Sequence, residues 1–129
     1  MYKSAIICVD DEVVILDSLK KQLRRKFGDQ FIYEVAESAA EAWEVIEELN
    51  ADNINIIAIV SDWLMPETKG DEFLIQIHQR FPKIVKVMLT GQANEIAIER
   101  ARQKANLHAC LYKPWTEEEL IQIISTAIN

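Results

Sequence analysis

Ile56-Ile57-Ala58-Ile59-Val60 is an apolar run with no polar alternation, broken off at Ser61-Asp62. A strand with one wet face alternates polar and apolar residues. A strand covered on both faces does not, and parallel sheets are built from such strands. Similar short runs occur at Ala5-Ile6-Ile7-Cys8-Val9, Phe31 to Val35, Ile84 to Leu89 and Ala109 to Tyr112. The stretches between them have helical period. Val13, Leu16, Leu19, Leu23 and Phe27 space for one helix face, and Ala42, Val45, Ile46 and Leu49 for a second. Phe73, Leu74 and Ile77 mark a third helix, and a fourth runs from about Asn94 to Ala105. Leu120, Ile123, Ile124 and Ala127 mark the last. Ser38 with Glu41, and Thr116 with Glu119, have the spacing of capping boxes at the second and fifth helix starts. Five strand–helix units in alternation predict an α/β fold, a doubly wound five-stranded parallel sheet with helices on both faces. The chain has 129 residues, and residues 1–129 are expected to form one domain, with no output domain in this chain.

The charge balance restricts the partners. With 14 basic against 21 acidic side chains the net charge is −7, which speaks against direct nucleic-acid binding. The one basic run, Lys20 to Lys26, reads as a solvated helix face or a docking patch for an acidic partner. No stretch approaches the roughly 18 apolar residues of a membrane span. The first apolar run is too short for a signal-peptide core, so a cytoplasmic chain with no membrane contact is expected. Cys8 and Cys110 lie in strand-like runs without a CxxC pattern and are expected as buried free thiols. His78 is expected on a helix surface and His108 at a strand start, neither with ligand spacing.

The chemistry-bearing residues share one position, the carboxyl end of a strand. Asp10 and Asp11 follow the first, Asp62 the third, Thr90 the fourth and Lys113 the fifth. Open parallel sheets bind ligands beyond those ends, where the strand order reverses. With the order 2-1-3-4-5, that point falls between strands 1 and 3, and the three aspartates converge there. Converging carboxylates raise one another's pKa unless a cation neutralises them. Mg²⁺ suits a few carboxylate oxygens with retained waters, and Mn²⁺ is an alternative. Asp62 is then placed to act as a carboxylate nucleophile on phosphorus. The Lys113 ammonium and the Thr90 hydroxyl are placed to meet the transferred oxygens. Taken singly, each residue has a plainer use: helix capping for Asp10-Asp11-Glu12, a turn for Thr90, a surface amine for Lys113. Their conjunction at successive strand ends points to phosphoryl transfer.

Four motifs carry a resemblance over the whole length: Val9-Asp10-Asp11-Glu12, Ser61-Asp62-Trp63-Leu64-Met65-Pro66 with Gly70, Leu89-Thr90-Gly91, and Tyr112-Lys113-Pro114-Trp115. In this order and spacing the chain resembles the receiver domain of two-component response regulators. The resemblance implies a flavodoxin-like (βα)5 sheet of order 2-1-3-4-5. It also implies Mg²⁺-dependent phosphorylation by a histidine kinase or phosphotransfer protein, with Asp62 as phosphoacceptor. Asp11, Asp62 and the Leu64 backbone carbonyl would ligate the metal, and Asp10 would help through water. Thr90 would be the switch hydroxyl, Lys113 the site lysine, and the Lys113–Pro114 bond would be cis. The face of the fourth helix, fifth strand and fifth helix would meet a downstream partner, an output domain or, on phosphorylation, a second copy. Trp115 beside it is either an interface aromatic or a local packing residue.

Two departures stand out. Cys110 occupies a position where many receivers carry an aromatic that turns inward with the hydroxyl residue, so Thr90 is expected to dominate the response. Leu64 stands where many relatives place a polar side chain; an apolar residue cannot orient an attacking water, so a long-lived phosphate is expected. Leu64 also argues against an aspartate-nucleophile phosphatase, which commonly needs an acid at that position. The Asp10-Asp11-Glu12 run would repel a flavin phosphate. A signalling domain rather than an enzyme is therefore expected, the alternative being a receiver-like module that binds partners without phosphorylation.

Overall fold

The computed structural model describes residues 3–91 and 94–128. Its strands are β1 (Ser4–Val9), β2 (Phe31–Ala36), β3 (Asn55–Asp62), β4 (Val85–Thr90) and β5 (Ala109–Tyr112). Its helices are α1 (Val13–Phe27), α2 (Ala39–Ala51), α3 (Gly70–Arg80), α4 (Glu95–Ala105) and α5 (Glu117–Ile128), with a short 3-10 turn at Gly28–Gln30. All strand pairs are parallel and the order is β2-β1-β3-β4-β5. The expected fold class and the reversal point between β1 and β3 are both present.

Strand alternation divides the apolar residues between two cores. Ile6 and Cys8 of β1, Ala58 and Val60 of β3, and Val87 and Leu89 of β4 pack under α1 and α5. Ala5, Ile7 and Val9 of β1, Ile59 of β3 and Met88 of β4 pack under α2, α3 and α4. The unalternating Ile56–Val60 run is thus explained, since both faces of β3 are covered.

Helix starts follow the local chemistry. Ser38 Oγ accepts from the Glu41 N–H at 3.1 Å, and Thr116 Oγ1 from that of Glu119 at 3.2 Å. Asn94 Oδ1 does the same for Ala97 at 2.9 Å. At the other end of α1, Gly28 takes φ +57°, a left-handed conformation that its missing Cβ permits.

Three expectations are corrected. Val13 is not on the buried face of α1; it is 53% exposed in the helix's first turn, and burial begins at Leu16. Cys110 is half-buried rather than buried, since β5 is an edge strand with one neighbour. His78 is more than a surface residue: its Nδ1 meets Lys86 Nζ at 2.8 Å. Among the described residues no helix is long and apolar enough to cross a membrane.

Candidate functional site

Asp10 leaves β1 fully buried, and its Oδ1 accepts the Glu12 backbone N–H at 2.8 Å. That bond shapes the turn into α1 and aims the other carboxylate oxygen at the sheet edge. Asp62, the last residue of β3, is 4% exposed. Asp11 is exposed beside them, and the three carboxylates each bring one oxygen within 4.8 Å of the others. Thr90, also buried, ends β4 next to Asp62, and its carbonyl accepts the Lys113 backbone N–H at 2.8 Å.

Lys113 reaches across the edge of the sheet. Its Nζ lies 2.9 Å from Asp10 Oδ2 and 3.2 Å from Asp62 Oδ1. The peptide bond after it, Lys113–Pro114, is cis, as the resemblance implied. The cleft above is lined by Asp11, Asp62, Leu64, Thr90 and Lys113. All the residues expected at the site therefore meet in one place, with Asp10 forming its buried floor.

The electrostatics are tense. Burial above all, with the Asp10 charge adding to it and Lys113 only partly compensating, holds the Asp62 carboxyl up at about 6. For Lys113, burial disfavours the ammonium, but the hydrogen bond to Asp10 and the Asp62 charge outweigh it and the net shift is upward. The two shifts look contradictory for one ion pair. They agree once Asp10 is recognised as the stronger partner of the lysine, leaving Asp62 short of positive charge. Asp10 Oδ2 is buried, and its partner among the described residues is that ammonium at 2.9 Å. Three converging carboxylates with a single ammonium among them, an oxygen-only donor set, fit a hard divalent cation.

Other neighbours were less legible in the sequence. Gly70 donates its N–H to the Trp63 carbonyl at 2.8 Å and lies against the Asp62 peptide so closely that a Cβ would stand 2.7 Å from Trp63 Cα. In the β4–β5 register Thr90 pairs with Tyr112, and Met88 with Cys110. The half-exposed Tyr112, not residue 110, is thus the aromatic alongside the hydroxyl.

A sequence-family model described as the response regulator receiver domain matches residues 6–125. Among curated proteins, the chain is 27% identical over 127 residues to the hydrogenase transcriptional regulatory protein HoxA of Cupriavidus necator. That match takes in 98% of this chain but 24% of the relative, so the chain spans about a quarter of its length. The chemotaxis protein CheY homolog of Campylobacter jejuni is 26% identical over 117 residues, 89% of this chain and 85% of that protein. Among solved structures, the signal receiver domain of an HD domain-containing protein from Pseudomonas fluorescens Pf-5 superimposes with a TM-score of 0.86 at 25% identity, covering 98% of this chain and 94% of that one. A CheY-like receiver domain protein from Methanospirillum hungatei gives 0.82 at 29% identity, covering 96% and 92%.

Proposed function

This chain belongs to the response regulator receiver domain family, and from that premise we propose that it takes a phosphoryl group onto Asp62 and thereby switches an interaction surface. The donor is a phosphohistidine on a histidine kinase or phosphotransfer protein. An Asp62 carboxylate oxygen forms a bond to phosphorus as the phosphorus–nitrogen bond breaks, and the imidazole leaves. The observation that carries the reading is Lys113 Nζ standing 3.2 Å from Asp62, at the mouth of an otherwise acidic cleft.

Lys113 would turn from the Asp62 carboxylate to a phosphoryl oxygen, and Thr90 would donate its hydroxyl to another. Asp11, Asp62 and the Leu64 carbonyl would hold a divalent cation such as Mg²⁺, with Asp10 assisting through water. Such a cation supplies positive charge for the carboxylates and the phosphoryl oxygens. The chain's own residues fix the geometry, exclude bulk water from Asp62 and bear the lysine charge. The product is a covalent state of the domain itself rather than a released molecule, so the role is signalling and not turnover. Whether as a stand-alone domain or part of a longer protein, the domain would present the α4–β5–α5 face, with exposed Ile96 and Tyr112, to its target.

The test is exposure to a small phosphodonor with Mg²⁺, read by intact mass. A phosphate-sized gain is expected in the wild type and none in Asp62→Asn. No gain in either protein would leave only the phosphorylation-independent module.

A further inference from the structure

Lys113 is held from two sides. On one, its backbone N–H bonds the Thr90 carbonyl at 2.8 Å. On the other, two residues further on, the Trp115 indole N–H donates to Gln22 Oε1 at 2.8 Å, between residues 93 positions apart. The indole is a donor only, so Gln22 must present its carbonyl oxygen. Gln22 and Trp115 are both half-buried, and the ring packs against the core shared by α1 and α5. The nearby pair Arg25–Glu117, at 3.1 Å, is mostly solvated and adds little.

Gln22 is on α1, and α1 begins directly after the turn that Asp10 organises through Glu12. The Gln22–Trp115 bond therefore ties the helix that follows the acid pair to the loop that carries the lysine. We propose that Gln22 and Trp115 are positioning residues for Lys113, and that their hydrogen bond sets the reach of its ammonium over Asp10 and Asp62. Neither residue touches the reacting atoms. The inference rests on Asp62 being the phosphoacceptor for its functional consequence, while the clamp itself is measurable without that chemistry.

Two measurements on Gln22→Leu and Gln22→Glu test it. The first is the rate of mass gain with acetyl phosphate and Mg²⁺. Loss of one hydrogen bond is expected to slow Gln22→Leu about five-fold, and Gln22→Glu, which keeps an acceptor, to return within about two-fold of wild type. The second is amide hydrogen exchange at Lys113, expected to be about five-fold faster in Gln22→Leu and restored in Gln22→Glu. Unchanged exchange in Gln22→Leu overturns the clamp whatever the rates do. Faster exchange with an unchanged rate, or a glutamate no better than leucine, overturns the positioning role. Absence of any mass gain in the wild type refutes the phosphoacceptor reading instead, and the exchange data alone then decide whether the clamp exists.

Discussion

Lys86 and His78 meet inside the α3–β4 layer, with Nζ of a lysine only 1% exposed standing 2.8 Å from Nδ1 of the histidine. Among the described residues the amine's other partner is the Pro82 carbonyl at 3.3 Å, so both acceptors are uncharged. Burial pulls Lys86 down to about 8, and burial together with the Lys86 charge also lowers His78. A base whose folded pKa is depressed makes the folded state bind fewer protons than the unfolded one. Its cost is full below about 8 and disappears as pH climbs towards the ordinary 10.5. Lys86→Met is expected to be more stable than wild type by about 1–3 kcal/mol at neutral pH. That gap should close between those two pH values in urea titrations, and a constant gap would refute the assignment.

Asp62→Asn should stabilise the metal-free protein, by about 1–2 kcal/mol, because an ionised Asp62 is buried beside Asp10 without a full share of Lys113. Mg²⁺ should raise the wild-type melting temperature and leave Asp62→Asn and Asp11→Asn nearly unmoved. Calorimetry across a metal series checks both statements.

Gly70→Ala inserts a methyl group against the backbone of Asp62 and Trp63, which cannot swing aside as a side chain would. A loss of about 1–3 kcal/mol is expected. Phosphodonor reactivity should fall as well, since relief comes only by moving the Asp62 peptide. A variant that is less stable but fully reactive would show that α3 yields instead.

Leu64 is 54% exposed at the cleft rim. A polar amide there can orient water towards the phosphoryl group, so Leu64→Asn is expected to shorten the phosphate's lifetime several-fold. Loss of the added mass over time gives the answer, and an unchanged or slower decay would count against the idea.

Thr90→Ala should weaken the response to phosphorylation more than Cys110→Ala, because Thr90 borders Asp62 whereas Cys110 pairs with Met88, further down the strand. The readout is the size of the α4 chemical-shift changes on adding beryllofluoride and Mg²⁺. Equal losses in the two variants would contradict it.

How much of this was legible in the sequence depended on where each residue stood along its strand. Asp10, Asp11, Asp62, Thr90 and Lys113 announced themselves because strand ends interrupt apolar runs and the topology then gathers those ends. Lys86 gave no such signal. It interrupts the middle of a run, where a charge would ordinarily argue against burial, and only the fold shows His78 coming up from α3 to receive it. Val13 was misplaced because helical period says which residues share a face, but not where along the helix burial begins. The Gln22–Trp115 bond was invisible for another reason: its partners are 93 positions apart, and the motif that contains Trp115 says nothing of Gln22.

The two cores on either side of the sheet have an evolutionary consequence. A sequence can drift under α1 and α5, where the Lys113 clamp is rooted, without retuning the packing of α3 and α4 against Met88 and Ile59. The two halves are free to diverge at different speeds, each held to the helices that cover its own face of the sheet. Only the short row of residues along the strand ends answers to both histories at once.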